Sequence, residues 1–328
     1  MHRLSRGLAL ALAAALALAG CSTSAATSDT DRISVVASTD VYASIATAIA
    51  GARADVSAII DDPAQDPHSY EATARDRLAL SEADVIIANG GGYDPFIDAL
   101  VGDNPNARVL VAVELSGLLP EEYEGDDHDH VGEGHDDHAE DDQADDHDGH
   151  DHIDGLNEHV WYHLLTAKNV AAALAAALTD LDPEGASTYS ANAHAFSGAV
   201  DDLIERAHEL EHELDHLRVV LTEPAPQYLV ELVGAHNVTP KAFTNAIEAG
   251  FDVPASALLE VLRLIEQGDA DLVVWNEQTS GPQIERVADA ARDAGIPVIS
   301  VTETLPAGFD YLTWMSGNID AIEQALQP

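Results

Sequence analysis

From residue 33 onward the chain alternates short apolar runs with segments whose apolar residues recur every three or four positions. The runs at 33–37, 56–60, 85–88 and 109–113 predict strands, and the patterns over 42–50, 74–81 and 95–100 predict helices between them. Unbroken apolar strands suit a parallel sheet covered on both faces, and the alternation with helices marks βα units. Two long helical stretches follow, at 161–178 and 186–217. The rhythm then resumes with strands at 218–222, 270–275 and 297–302 and helices at 227–233, 255–267, 282–294 and 310–326. The pattern predicts an α/β protein of two (βα) lobes with parallel sheets, joined through long helices.

Two segments stand outside that rhythm. Arg3 and Arg6 precede an Ala/Leu run at 8–19, too short to span a bilayer and suited to the core of a secretory signal. The run ends in Leu18-Ala19-Gly20-Cys21, which resembles a bacterial lipoprotein box, so 1–20 reads as signal peptide and Cys21 as the lipidated residue. Residues 21–32 then read as a flexible tether. No later segment is expected to cross a membrane. The second outlier, 121–152, holds sixteen acids, seven histidines and no Lys or Arg, with almost nothing to bury, and reads as a disordered loop.

The composition sharpens this picture. Of 328 residues, 59 are Asp or Glu and 14 Lys or Arg, a formal net charge of −45 that repels nucleic acid and favours cations. One cysteine excludes an internal disulfide and any multi-thiolate metal site, whereas sixteen histidines beside so many carboxylates point to metal.

Several motifs compete to hold it. His208-Glu209-Leu210-Glu211-His212 and His212-Glu213-Leu214-Asp215-His216 both fit the H-E-x-x-H pattern of zinc peptidases. The apolar stripe Leu203, Ala207, Leu210, Leu214 and Leu217 puts those histidines on the opposite, solvated face of the helix, so a peptidase is disfavoured. Gly90-Gly91-Gly92 lacks the Lys-Ser/Thr of a phosphate loop and reads as a tight turn after a strand. Asp66-Pro67-His68-Ser69-Tyr70-Glu71 is different, because it follows a strand and so lies at a carboxyl edge, where α/β proteins bind ligands. Acids near His68 could orient its other ring nitrogen. Asn157-Glu158-His159-Val160-Trp161 places a second histidine just before a helix.

These two motifs, with Ala83-Asp84-Val85 leading to Asn89-Gly90, the acidic histidine-rich loop and Glu303-Thr304-Leu305-Pro306, resemble one family across the whole mature chain. It is the family of zinc/manganese substrate-binding lipoproteins of bacterial ABC uptake transporters. The resemblance implies an N-terminal lobe at 33–181, a long rigid linking helix at 182–217, a C-terminal lobe at 218–328 and a metal cleft between the lobes. Carried over position by position, it implies His68 and His159 as ligands from the first lobe. Glu223 in Thr222-Glu223-Pro224-Ala225 stands where zinc-type members have histidine and manganese-type members glutamate. Glu303 stands where the family usually has aspartate. Glu277 is expected behind the ligands, and His163 as a nearby polar residue rather than a ligand.

Two imidazoles and two carboxylates can close a tetrahedron around Zn²⁺, and with bidentate carboxylates could host Mn²⁺. The loop histidines His128, His130, His135, His138, His147, His150 and His152 favour zinc, and the loop is expected to collect ions for the buried site. The resemblance implies a non-enzymatic monomer that is extracytoplasmic, lipid-anchored through Cys21 to the cell membrane, and delivers its ion to an ABC permease with separate ATPase subunits. The competing reading is a surface zinc buffer or metallochaperone worked by the loop and the His208/His212/His216 face.

Overall fold

The computed structural model describes residues 32–120, 153, 155–214, 216–279 and 281–325. The proposed signal peptide, Cys21, most of the tether, and the loop 121–152 with its seven histidines lie outside the described residues. The residues from Ile33 onward form one compact unit.

Two four-stranded parallel sheets organise it. The first contains β1 (Ile33–Thr39), β2 (Ala54–Ile60), β3 (Val85–Ala88) and β4 (Arg108–Val111), in the order β2-β1-β3-β4. The second contains β5 (Arg218–Leu221), β6 (His236–Asn237), β7 (Leu272–Asn276) and β8 (Val298–Val301), in the order β6-β5-β7-β8. Both sheets are covered on both faces, which explains the unbroken apolar runs. In β1, Val35 and Ala37 enter one buried cluster while Val36, between them, enters another. Val219 and Leu221 of β5 face the same large cluster as Val35, and Val220 faces away from it.

Four helices fill the space that this large cluster shares. They are α1 (Asp40–Ala50), α5 (Leu164–Leu181), α6 (Ala186–Leu214) and α11 (Tyr311–Ala325). Val41, Tyr42, Ile45, Ala46 and Ile49 of α1 are buried, the one-sided pattern of an amphipathic helix. Fully burying a side chain such as Ile45 contributes about 1.5–3 kcal/mol. On α6, Leu203, Ala207, Leu210 and Leu214 are buried and His208, Glu209 and His212 are exposed, so the H-E-x-x-H pattern faces water. From the C-terminal end of the chain, α11 returns to α6, where Arg206 binds Asp320 and, at 2.9 Å, Glu323.

Three differences from the sequence reading have physical causes. The apolar run at 109–113 leaves the sheet at Val111 and becomes the helical turn α4 (Ala112–Leu115), whose Ala112 and Val113 are buried. A short apolar run does not by itself distinguish strand from helix. The helix expected from residue 161 starts as a 3₁₀ turn, Val160–Tyr162, and α5 begins only after His163, which is extended (φ −84°, ψ 98°). The third concerns membranes: by length and composition α5 could span one, contrary to expectation. Its Leu164, Val170, Leu174 and Leu178 are buried in the shared cluster, so it is a core helix rich in alanine. The short β6 and a helix α8 (Lys241–Glu248) were not predicted. The remaining helices, α2 (Ala74–Ser81), α3 (Pro95–Val101), α7 (Gln227–Leu232), α9 (Ala255–Gln267) and α10 (Pro282–Asp293), fall within a few residues of their predicted positions.

Candidate metal centre

The carboxyl ends of both sheets meet at one buried cluster. In each sheet the first strand is central and the chain crosses it between the second and third, so the crevice lies between β1 and β3 and between β5 and β7. An internal repeat builds the two crevices. Ala83-Asp84-Val85-Ile86-Ile87-Ala88-Asn89 forms β3 and its ends, and Ala270-Asp271-Leu272-Val273-Val274-Trp275-Asn276 forms β7. Asp84 accepts from the backbone N–H of Ser34 at 2.9 Å, and Asp271 from that of Arg218 at 2.9 Å, locking the third strand to the first in each sheet. The repeat then delivers an asparagine to each crevice.

Asn89 organises the imidazole side. Its Oδ1 accepts from Tyr42 at 2.5 Å, and its Nδ2 donates to the backbone carbonyl of Glu158 at 2.9 Å, holding the 157–161 segment against the sheet. Buried Asp94 accepts from the N–H groups of Asn89 (2.6 Å) and Gly90 (2.8 Å). Gly90 and Gly91 have φ of +76° and +68°, and a Cβ on Gly90 would stand 2.5 Å from Val111, so this turn requires glycine.

His159 is fully buried there. Asn157 accepts from both its backbone N–H (3.1 Å) and its Nδ1 (2.8 Å), while the Asn157 amide nitrogen donates to the Pro224 carbonyl (2.9 Å). That network fixes the Asn157 orientation and protonates Nδ1, leaving the Nε2 lone pair directed away from it. Nε2 lies 3.8 Å from Glu303 Oε2. His68 is oriented in the same way by Asp66, whose Oδ1 takes the His68 N–H at 2.9 Å and lies 3.2 Å from Nδ1. Tyr70 anchors the loop by donating to Asp76 (2.9 Å), the acid of a capping box with Thr73 at the start of α2. The two imidazole centroids are 5.9 Å apart, and Tyr93 packs edge-on against both at 4.9 and 5.7 Å.

The opposite side supplies carboxylates. Glu223 follows β5, Glu303 follows β8, and both are buried. Asn276 Nδ2 donates to Glu223 and, at 2.6 Å, to Glu303 Oε1; Thr279 donates to Glu223 at 2.7 Å. Among the described residues neither carboxylate pairs with a Lys or Arg. Burial and the adjoining Glu223 charge push the Glu303 carboxyl well above the usual range. For His68, burial disfavours the imidazolium, but hydrogen bonds to Asp66 and Glu158 and the Glu303 charge outweigh it and lift the group to about 10. The hydrogen bond to His68 in turn holds Asp66 down at about 2.

The structure therefore brings His68, His159, Glu223 and Glu303 to one place. It does not bring Glu277, whose side chain is exposed and lines surface pockets with Ser300. Asn276, the last residue of β7, is buried at the site, and Glu277, just past the strand, is exposed. His163 stands one step back: it bonds Thr166 at 2.9 Å and contacts Tyr228, which donates to the Asn157 carbonyl at 2.8 Å. Sequence reasoning missed Glu158, whose Oε1 is 3.4 Å from His68 Nε2, Asn276, and Glu248, whose Oε1 is 4.0 Å from His159 Nδ1. The repeat of A-D-(apolar)₃-x-N would have found Asn276; Glu248 lies on the unpredicted α8.

Comparison with known proteins agrees with this architecture. The sequence profile of the family described as zinc-uptake complex component A, periplasmic, matches residues 35–325, and the chain belongs to that family. It is 23% identical over 307 residues to the manganese-binding lipoprotein MntA of Halalkalibacterium halodurans, covering 91% of this chain and 90% of the relative. It is 26% identical over 326 residues to the iron ABC transporter substrate-binding lipoprotein MtsA of Streptococcus pyogenes serotype M1, covering 93% and 92%. The periplasmic zinc binding protein TroA from Treponema pallidum shares the fold with a TM-score of 0.67 and 19% identity, covering 90% of this chain and all of that one. The family consists of metal-binding components of ABC transport systems, not enzymes.

Proposed function

We propose that this chain captures a single divalent transition-metal ion, zinc by preference, outside the cytoplasm and delivers it to an ABC permease. His68 and His159 through Nε2, with Glu223 and Glu303, would hold the ion. One observation carries the reading: a buried, mutually repelling carboxylate pair bridged by Asn276 faces His159 Nε2 across 3.8 Å. Two donors on one ion with bonds of about 2.0–2.2 Å stand roughly 3.3–3.6 Å apart at the tetrahedral angle, close to that separation. A cation between them would neutralise a pair that otherwise needs a proton.

Cys21 as lipid anchor and 121–152 as ion collector complete the proposal, and the lipoprotein relatives support the anchor. Deleting 121–152 should leave the tight affinity intact and reduce uptake when zinc is scarce; unchanged uptake would remove the collector role. Manganese is the second reading, favoured by Glu158, a third carboxylate 3.4 Å from His68 Nε2, because Mn²⁺ takes more oxygen. Zinc binds the more tightly in vitro whatever the cargo, so the cargo test is growth. A strain lacking this protein in chelator-treated medium should be rescued by added zinc and not by manganese. Rescue by manganese alone would reverse the assignment.

A further inference from the structure

One side chain outside the proposed ligand set bridges the two halves of the cleft. Gln278 lies just past β7, half-buried, two residues after Asn276, whose Oδ1 accepts its backbone N–H at 3.0 Å. Its Oε1 accepts from the backbone N–H groups of Glu303 (2.5 Å) and Thr304 (3.1 Å). Its Nε2 donates to the Thr304 hydroxyl (2.8 Å) and to the Pro63 carbonyl (2.7 Å). The two backbone donors fix which end of the carboxamide is oxygen, and all four of its hydrogen-bonding positions are filled.

Pro63 belongs to the stretch 61–73 that joins β2 to α2 and carries His68. The turn around it is tight: Asp62 accepts from the N–H groups of Ala64 (3.0 Å) and Gln65 (2.9 Å), and the next residue, Asp66, orients His68. The position of Pro63 is thus passed through a short turn to the imidazole. On the other side, the segment 302–305 is gripped at both ends, where Tyr162 donates to the Thr302 carbonyl (2.6 Å) and Asp40 accepts from the Leu305 N–H (3.2 Å). We propose that Gln278 is a clasp tying the His68 loop to the Glu303 segment, so that the imidazole and carboxylate halves of the ligand set close on the ion in register; the proposal rests on the metal-binding reading above. Gln278 is a positioning residue, not a ligand. An amide suits the place because it donates and accepts at once, whereas a carboxylate or an ammonium offers only one of the two. The His68 loop swings aside only when the bond to Pro63 breaks, so the clasp slows release of the ion.

The test combines hydrogen–deuterium exchange by mass spectrometry on the full chain, with and without Zn²⁺, with chelator-driven Zn²⁺ release. Gln278→Ala removes the amide, and Gln278→Met removes it while keeping most of the length. Gln267→Ala, exposed at the end of α9, is the control. Both Gln278 variants should exchange faster than the parent at 61–70 and at 302–305, and should release Zn²⁺ about fivefold faster, the effect of one ordinary net hydrogen bond. Faster exchange at 302–305 alone would overturn the clasp and leave Gln278 a local brace for Glu303. So would release at the control's rate, or a Met variant that behaves like the parent, which would assign the effect to bulk. Exchange in the ion-free protein judges the contact by itself, so a parent that binds no Zn²⁺ would sink the metal-binding reading without obscuring the result for the clasp.

Discussion

The carboxyl ends of the two sheets share a scaffold and differ in how settled their side chains are. Each third strand is preceded by an aspartate locked to the first strand, and an asparagine at its carboxyl end enters the crevice. On the imidazole side both histidines have their direction fixed locally: Asp66 orients His68, Asn157 orients His159 and Asn89 holds the 157–161 segment against the sheet. On the carboxylate side one amide serves two buried acids that repel each other. The first side is preorganised by hydrogen bonds and the second is left short of positive charge. A cation would complement the buried pair, which is what the proposed metal-binding role requires of this asymmetry.

The comparison breaks most easily by titration. An arriving ion must displace the proton on His68, so zinc affinity should fall about a hundredfold between pH 8 and pH 6, tenfold per unit for each proton released. Competition titrations at both values check this, and a flat profile would mean that His68 is not a ligand. The ion-free fold should move in the opposite sense. His68 is lifted to about 10 from an ordinary value of 6.5, so its contribution to stability is complete below 6.5 and lost as pH rises through about 10. The Tm of chelator-treated protein should therefore drop over that window, and zinc should restore it.

Asn276 is the next largest lever. Asn276→Ala removes the amide that bridges Glu223 and Glu303, and should weaken zinc binding roughly 10–100-fold, as loss of an orienting partner commonly does. Asp66→Asn, on the better-organised side and more exposed, should cost only about tenfold. If Asp66→Asn proved the more damaging, the contrast between the sides would be misjudged. Glu277→Gln should leave affinity within about twofold, because its side chain is exposed.

The contrast also separates what the sequence could convey from what it could not. Seven of the eight strands among the described residues and the long helices were legible, because continuous apolar runs are local features, whereas the four clustered residues were legible as a set only through the family resemblance. The order of the strands was not, since parallel pairing joins residues far apart, such as Val35 with Val85 and Val219 with Leu272. Glu277 was expected behind the ligands, and its neighbour Asn276 stands there instead. Only the end of the strand, which buries one residue and leaves the next exposed, decides between neighbours. Glu248 escaped because α8 is eight residues long and follows a two-residue strand, too little pattern for either period to register.

The central claim is that one ion is held jointly by both sides of the cleft. Its most direct test is zinc stoichiometry of the full chain against a strong competing chelator, for the parent protein, His159→Ala and Glu223→Ala. One ion should survive competition in the parent. Either substitution should abolish it, weakening binding by roughly a hundredfold or more, since even orienting partners are worth 10–100-fold. Several weak ions, retained equally by all three proteins, would contradict the account and place metal binding on the histidine-rich loop instead.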